Sequence, residues 1–346
     1  MTRKTGKFTG NGDFSIGVDL GGTNLRVASY LGGTDVLDMI HLPTRLSEGR
    51  ERVVRDMGEA ILALSIKDYG DRRFVGAGVG TPGPLELPAG ILRNPPNLAG
   101  WNNFNIREAL ESMLGFGVMF ESDANLAALA ESRLGAGITH GVRSLCVLTM
   151  GTGVGSGLIL DGRIWHGVTG MGGEAGHVIV RPRDGAPCGC GGAGCLEQYA
   201  SATAVVRMGR ERMGETAPAT SQELAQMALD GDARAISVFD TVGESLALGL
   251  AMLVNTLNLP LYLLGGGVSE AWDLFAPTMF RELRSRSYIY RLTEPKEQSP
   301  DALERNKTYV LPAQLGPIAG LLGACLLPLQ GQSESSLIPE GSLEAQ

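Results

Sequence analysis

Four strong metal ligands lie close together in one glycine-rich stretch of the sequence. They are His177, Cys188, Cys190 and Cys195. Three thiols and one imidazole match the Cys₃His set of closed tetrahedral zinc sites, in which no position is left open for water. We therefore expect a structural Zn²⁺ that holds this loop in a fixed conformation. A free thiol cluster or a redox disulfide is the alternative, which the short cysteine spacing in an intracellular chain does not favour.

A carboxylate suited to proton transfer follows a short apolar segment. Val118 to Phe120 has the pattern of a strand, and Glu121-Ser122-Asp123 leads from it to a helix that begins at Ala124. Open α/β sheets place their chemistry at the carboxyl ends of strands. Because phosphoryl transfer to an alcohol needs a carboxylate that accepts the hydroxyl proton, Asp123 is a candidate general base. Asp123 is equally suited to capping the helix, and the local sequence leaves both roles open.

Three glycine-rich turns follow predicted strands. Glycines at such places let backbone N–H groups face an anion, and a neighbouring threonine adds another donor. A tight hairpin is the alternative for any one turn, but three turns together favour phosphate binding. Asp19, just before the first turn, is the candidate ligand of Mg²⁺, directly or through water. Neither a Walker lysine motif nor a strand-to-helix G-x-G-x-x-G unit is present. The turns contain Gly21, Gly22, Thr23 and Asn24, then Gly151, Thr152 and Gly153, then Gly265, Gly266 and Gly267.

Two glutamates flank the cysteine loop. Glu174 precedes His177, and Glu197 follows Cys195. Carboxylate oxygens accept strong hydrogen bonds, so both residues are candidates for binding sugar hydroxyls. Solvation at the surface is the alternative for each.

The elements that must position these residues alternate between short strands and helices. Phe14–Asp19 and Leu25–Leu31 predict two strands joined by a glycine turn, and Ser144–Thr149 and Gly157–Leu160 repeat this pattern about one domain's length later. We infer an internal duplication. Further strands are predicted at Phe74–Gly80 and Leu261–Leu264, and helices at Arg50–Lys67, Arg107–Leu114, Ala124–Leu134 and Ile318–Leu327, with mostly helix beyond Thr203.

The bulk properties exclude several classes of protein. The 346 residues suit two lobes, and 50 glycines without a Gly-X-Y period indicate many tight turns rather than a fibrous chain. A net charge of -8, with no dense Lys/Arg block, predicts no nucleic-acid partner. The absence of about 18 uninterrupted apolar residues, and the polar N-terminus, predict neither membrane insertion nor secretion, so a cytoplasmic location is expected.

These residues resemble the ROK group of sugar kinases and sugar-responsive repressors. The resemblance covers about Phe14 to Leu327, and the Glu174-x-x-His177 spacing is similar to the glucokinase branch. The motifs are DLGGTN (Asp19–Asn24), GTPGP (Gly80–Pro84), NLAGW (Asn97–Trp101), SDAN (Ser122–Asn125), GTGVGSG (Gly151–Gly157), GVTGMGGEAGH ending at His177, CGCGGAGCLEQYAS (Cys188–Ser201) and LGGG (Leu264–Gly267).

The resemblance implies an α/β, two-lobed fold of the actin, hexokinase and Hsp70 ATPase type, built from duplicated ribonuclease H-like domains around a central cleft. A homodimer or homotetramer is also expected. The expected division is a flexible tail at 1–12, a small lobe at 13–123 completed by a C-terminal helix at 315–330, a large lobe at 124–314 with the zinc loop 177–197, and a flexible tail at 331–346.

The activity implied by the resemblance is the phosphorylation of a hexose at its C6 hydroxyl by ATP and Mg²⁺, with glucose as the favoured substrate. Asp123 matches the base of the family, the first two glycine turns match phosphate-binding turns, and the third is expected beside the adenosine. His177 is expected to serve both sugar and zinc. The sugar-binding residues implied are Gly83, Asn97, Ser122, Asp123, Glu174, His177 and Glu197.

Two alternatives share this resemblance. The first is a kinase for N-acetylmannosamine, N-acetylglucosamine, mannose or fructose. Many family members carry Asn at the position of Ser122, and this difference leaves the identity of the sugar open. The shorter serine is expected to loosen one sugar contact. The second is a sugar-sensing repressor, which needs a helix-turn-helix of about 60 residues ahead of the first glycine turn. Because few residues precede Asp19, this alternative is disfavoured.

Overall fold

The computed structural model describes residues 12–95, 98–299 and 303–334. Within them the chain divides into two compact units. The first contains the described residues up to Leu126 together with those from Gly320 onward, and the second runs from Ala127 to Ala319. The predicted N-terminal tail lies outside the described residues except for Gly12.

The first unit is built on a five-stranded sheet. Its strands are β1 (Phe14–Leu20), β2 (Asn24–Tyr30), β3 (Asp38–Pro43), β4 (Phe74–Thr81) and β8 (Val118–Ser122), in the order β3-β2-β1-β4-β8. The β1-β2 and β2-β3 pairs are antiparallel, whereas β1-β4 and β4-β8 are parallel. A small antiparallel sheet is formed by β5 (Leu85–Glu86), β6 (Ile91–Leu92) and β7 (Phe104–Asn105).

Amphipathic helices cover this sheet. Helix α1 (Arg50–Ser65) buries Val53, Met57, Ile61 and Leu64, which recur at helical spacing along one face. Helix α2 (Ile106–Leu114) begins where the Asn105 side chain accepts a hydrogen bond from the Glu108 N–H, and it ends at Gly115 in the left-handed conformation.

The C-terminal helix α11 (Ala319–Glu334) packs directly on this sheet. A Cβ atom added to Gly17 of β1 would lie 2.4 Å from Cys325 Sγ, and one added to Gly78 of β4 would lie 2.1 Å from the Ala324 carbonyl oxygen. Glycine is therefore needed at both strand positions for this close approach.

Two predicted boundaries of α11 are corrected by the structure. The helix begins at Ala319 rather than at 315, because Gly316–Ile318 forms a tighter 3-10 turn. It continues to Glu334, four residues into the segment predicted as a flexible tail, and the rest of that segment lies outside the described residues.

The second unit repeats the sheet of the first. Its strands are β9 (Leu145–Met150), β10 (Val154–Leu160), β11 (Arg163–Ile164), β12 (Leu261–Gly265) and β13 (Tyr309–Pro312), in the order β11-β10-β9-β12-β13. The first two pairs are again antiparallel and the last two parallel. Strand order and direction thus match one for one, as an internal duplication predicts.

Helices make up most of the remaining second unit. Helix α3 (Asp123–Arg133) starts in the first unit and ends in the second. The others are α4 (Ala136–His140), α5 (Glu197–Ala200), α6 (Ala202–Met213), α7 (Ser221–Leu229), α8 (Ala233–Leu257), α9 (Trp272–Arg286) and α10 (Tyr288–Thr293).

Among the described residues, α8 is the one helix whose length and composition would suffice to cross a membrane. The protein buries 56% of its most apolar stretch. Val238, Val242, Leu246 and Leu250 all belong to the hydrophobic core of the second unit. These contacts are those of a core helix.

Candidate active site

Asp123 lies where β8 passes directly into α3. It is the first residue of the helix, and its Oδ1 accepts a hydrogen bond of 2.7 Å from the Ala124 N–H. The capping bond to the third helical residue is made by Ser122, whose Oγ accepts from the Asn125 N–H at 3.2 Å. Ser122 therefore supplies the capping contact for which Asp123 was the sequence candidate.

Asp19 lies at the carboxyl end of the neighbouring parallel strands. In the sheet register, Asp19 of β1 pairs with Gly80 of β4, and Gly80 pairs with Glu121 of β8. A Cβ atom on Gly320 would lie 3.8 Å from both Asp19 Oδ1 and the Asp123 carbonyl oxygen. Asp19 and Asp123 therefore flank the start of α11, at one edge of the sheet.

Arg26 engages the candidate magnesium ligand. Its Nε donates to Asp19 Oδ2 at 3.0 Å, and its Nη2 contacts the same oxygen. Arg26 is not among the site residues predicted from the sequence, although the antiparallel register of β1 and β2 places it directly opposite Asp19. The five residues between the two predicted strands, Leu20 to Asn24, already indicate this pairing.

Thr44 holds the first glycine turn in place. The turn closes through the Gly21 N–H and the Asn24 carbonyl oxygen at 2.8 Å. The Thr44 hydroxyl donates to the Gly21 carbonyl, and the Thr44 N–H donates to the Thr23 carbonyl, each at 2.8 Å. Gly22 is half-buried, whereas Thr23 and Asn24 are exposed at the tip. The tip of the turn is therefore exposed to solvent, while the hydrogen bonds from Thr44 hold the turn in place.

The second glycine turn is joined to Glu197. The Gly151 N–H donates to the Gly153 carbonyl at 2.9 Å, and the Thr203 hydroxyl donates to the Thr152 carbonyl at 2.9 Å. Glu197 begins α5, and its Oε2 accepts from the Val154 N–H at 3.0 Å. The turn and the carboxylate therefore form one hydrogen-bonded group.

The Glu174 and His177 segment is tied to β10. The Ala175 N–H donates to Ser156 Oγ at 2.9 Å, and Ser156 Oγ donates to the Gly173 carbonyl. A Cβ on Gly176 would lie 1.9 Å from the Val154 carbonyl oxygen, so the segment crosses the strand more closely than any other residue type permits. This contact fixes Glu174 and His177 beside Val154.

The charge of Glu197 affects the pKa of Glu174. Burial raises the pKa of the Glu174 carboxyl; the nearby His177 opposes this rise, and the negative charge of Glu197 adds to it. Because Glu174 is nevertheless exposed to solvent, a ligand covering it would strengthen the effect of burial. The two carboxylates are therefore near neighbours in the second unit.

The predicted metal ligands converge. The ligand atoms of His177, Cys188, Cys190 and Cys195 all lie within 4.8 Å of one another. Cys188 Sγ is 3.6 Å from His177 Nδ1, and Cys190 Sγ is 3.7 Å from Cys195 Sγ. Two thiolates bound tetrahedrally to one zinc ion at about 2.3 Å would be roughly 3.8 Å apart. The donor set and its spacing therefore fit Zn²⁺.

The third glycine turn borders a groove of about 270 Å³. The turn lies beside the second one, because Gly265 pairs with Thr149 and a Cβ on Gly266 would lie 2.5 Å from the Met150 carbonyl oxygen. The sequence does not predict the groove, because its walls come from segments that are distant in the chain. The lining includes apolar Phe239, Val268 and Leu274 and polar Gln222, Gln226, Glu270 and Asp273.

Two predicted sugar ligands are less well placed by the structure. Gly83 lies two residues beyond the end of β4 and is half-buried. Asn97 lies outside the described residues.

The sequence profile of the ROK family matches residues 15–330. The chain belongs to the ROK family.

Individual ROK relatives match most of the chain. The glucokinase of Halalkalibacterium halodurans is 33% identical over 331 residues, which cover 92% of this chain and 96% of that protein. The glucokinase of Thermotoga maritima is 36% identical over 275 residues, covering 76% and 84%. The crystal structure of a ROK family glucokinase from Streptomyces griseus in complex with glucose and AMPPNP superposes with a TM-score of 0.73 at 30% identity, covering 92% of this chain and 100% of that one.

These matches confirm the predicted family and its duplicated, actin- and hexokinase-like α/β fold. In this ROK protein the base candidate Asp123 and Asp19 belong to the first unit. The second and third glycine turns, Glu174, Glu197 and the cysteine cluster belong to the second.

Proposed function

We propose that this chain is an ATP-dependent glucokinase that converts glucose to glucose 6-phosphate. The observation that carries the proposal is the 33% identity to a glucokinase over 92% of the chain. The fold, the glycine turns and the paired glutamates agree with it, and none of them requires a different reaction.

The sugar is bound by the two glutamates and the histidine of the second unit. Glu197 lies close enough to Glu174 to raise the pKa of that carboxyl, and the oxygens of both residues accept hydrogen bonds from sugar hydroxyls. His177 presents Nδ1 to Cys188, which leaves Nε2 as the ring nitrogen for a sugar hydroxyl. Ser122, Gly83 and Asn97 complete the proposed sugar ligands.

The nucleotide is bound by the glycine turns. Backbone N–H groups of the first two turns hold the phosphates, because glycine leaves no side chain between them and an anion. The groove beside Gly267 takes the adenosine: its apolar wall suits a planar base, and its polar rim suits ribose hydroxyls. Asp19 would hold Mg²⁺, which when bound neutralises phosphate charge. Arg26 orients the Asp19 carboxylate for this role.

Asp123 is the base of the transfer. It accepts the proton of the C6 hydroxyl while the oxygen of that hydroxyl bonds to the γ-phosphorus. The bond between the γ-phosphorus and the bridging oxygen breaks, and ADP leaves with that oxygen. Because the Asp123 backbone is fixed by the junction of β8 and α3, the carboxylate needs little reorganisation to act.

The zinc ion would be structural. All four ligands come from the protein, so no coordination position is left for a reacting water. Binding at His177 Nδ1 would fix the ring that contacts the sugar. A cytoplasmic location and a dimeric or tetrameric assembly remain predictions.

A coupled assay of ADP release over a panel of sugars tests the proposal. The panel contains glucose, mannose, fructose, N-acetylglucosamine and N-acetylmannosamine, each with ATP and Mg²⁺. We expect the highest kcat/KM with glucose. A higher kcat/KM with another sugar would reassign the substrate, and no ADP release with any sugar would reject the kinase.

A further inference from the structure

Two buried polar residues, Glu121 and Asn125, flank the Asp123 base in the sequence. Glu121 is the penultimate residue of β8, and Asn125 is the third residue of α3. Both are 2% exposed. No loop separates the strand from the helix, so the geometry of this junction determines the direction of the Asp123 side chain.

One carboxylate oxygen links the strand to the helix. Glu121 Oε1 accepts a hydrogen bond of 2.9 Å from the Ser122 N–H and another of 2.9 Å from Asn125 Nδ2. The first bond fixes the residue before Asp123, and the second fixes a side chain two residues after it. Asp123 is therefore held on both sides by a single acceptor atom.

This contact is additional to ordinary helix capping. The Asn125 N–H is already satisfied by Ser122 Oγ, so the side-chain bond between Glu121 and Asn125 is not needed to cap α3. A buried polar side chain is unfavourable unless it is hydrogen-bonded. The buried Glu121 carboxyl is thus retained two residues before Asp123, where its hydrogen bonds can set the orientation of the base.

The orientation of the Asn125 amide supports the same conclusion. Its Nδ2 donates to Glu121, while its Oδ1 is buried and has no hydrogen-bond partner among the residues that the structure describes. Rotating the amide by half a turn would bring Oδ1 against the carboxylate, which repels it. Glu121 therefore determines which way the Asn125 side chain faces, even though one buried acceptor is left unpaired.

We propose that Glu121 and Asn125 are positioning residues that orient Asp123 for proton abstraction. Neither group touches the substrate in this role; each acts through the backbone that carries the base. The inference rests on the proposed function, because it assigns a task to residues around the base of that reaction.

The decisive variant is Asn125→Leu, which keeps the size of the side chain and removes its donor. We expect kcat to fall about 10- to 100-fold, because a displacement of about 1 Å at a reacting group can cost about a hundredfold. The KM values for glucose and ATP should change less than about threefold. Besides the base, the proposed sugar ligand Ser122 lies at this junction, and Asn125→Leu keeps its hydrogen bonds to Glu121 Oε1 and from the Asn125 N–H. Glu121→Gln keeps an acceptor oxygen and should lose less activity than Glu121→Leu.

A double-mutant cycle separates orientation of the base from mere stabilisation. In an Asp123→Asn background the base is absent, so Asn125→Leu should lower the residual kcat less than about twofold. Asp56→Asn is the matched control: Asp56, on helix α1, is another buried carboxylate of the first unit and accepts hydrogen bonds from Arg45. It should lower the melting temperature without lowering kcat.

Two results would overturn the inference. One is an unchanged kcat for folded Asn125→Leu, and the other is the same fold-loss of kcat in both backgrounds. Wild-type enzyme is assayed beside every variant. An inactive wild type would reject the proposed function, whereas an active wild type with unaffected variants would reject only the positioning role.

Discussion

The Val154 N–H donates a hydrogen bond of 3.0 Å to Glu197 Oε2. Val154 directly follows the second glycine turn, and Glu197 is a proposed sugar ligand. One bond thus connects a turn proposed to bind phosphate with a carboxylate proposed to bind glucose. A change at the turn is expected to alter sugar affinity as well as nucleotide affinity.

The variant Gly153→Ala tests this connection. The added Cβ would lie 2.4 Å from Glu197 Oε2, and because the carboxylate ends a flexible side chain, it would move rather than the backbone. Losing a bond to a charged group should raise the glucose KM about tenfold or more, with little change in melting temperature. Steady-state kinetics with varied glucose measure this effect. Gly117→Ala, whose Cβ meets nothing closer than 3.8 Å, is the control. An unaltered glucose KM in Gly153→Ala would contradict the connection.

The variant Asp123→Asn tests the base. Asparagine has nearly the same shape but cannot accept the hydroxyl proton, so kcat should fall by about 10² to 10⁴. Glucose binding, measured by calorimetry, should change by less than about threefold. Asp161→Asn is a matched control at an exposed turn with positive φ, which asparagine tolerates. Wild-type turnover in Asp123→Asn would show that another group takes the proton.

The variant Cys190→Ser tests the metal site. Serine is a poor ligand for Zn²⁺, so metal content should fall from about one equivalent towards zero. The melting temperature should fall and the glucose KM should rise together, because the same loop carries His177. Elemental analysis of purified protein, followed by kinetics and thermal unfolding, checks all three. Wild-type protein that lacks zinc, or a Cys190→Ser variant that keeps it, would remove the assignment.

Glu131 gives the stability of the second unit a pH dependence. It is buried, and burial raises the pKa of its carboxyl group although its oxygens accept bonds from the Leu315, Ala136 and Gln314 N–H groups. A folded-state pKa above the unfolded value means that the folded protein binds the proton more tightly. The contribution of this group to stability is therefore present below the unfolded pKa and is lost as pH rises through the folded pKa.

The variant Glu131→Gln should remove that pH dependence. Between about pH 4.5 and neutrality, the free energy of unfolding should fall less steeply with rising pH in the variant than in the wild type. Urea titrations at several pH values measure the slope. Glu59→Gln, at an exposed position of α1, is the control and should leave the slope unchanged. Equal slopes for wild type and Glu131→Gln would contradict the prediction.

The features predicted best from sequence are local ones. The hairpins around Gly21 and Gly151 and the junction at Asp123 depend on residues a few positions apart, so apolar runs stopped by glycine were sufficient. The cysteine cluster was equally accessible, because three of its four ligands lie within eight residues.

The features that the sequence does not predict depend on contacts between segments that are far apart in the chain. Strand β3 alternates between half-buried and exposed residues and exists as a strand because β2 pairs with it. The groove beside Gly267 is lined by residues as far apart as Ser221 and Leu274. No short-range pattern specifies which of these segments meet, so both needed the structure.

Helix α11 belongs to the first unit although it is the last element of the chain. Because α11 lies against Gly17 and Gly78, the part of the sheet that it covers stays exposed until α11 has been made. A ribosome adds about 5 to 20 residues per second, so roughly 10 to 40 seconds separate the synthesis of β8 from that of α11. During this interval the apolar surface that α11 later covers is exposed on the nascent first unit, so chaperones that bind such surfaces have time to act.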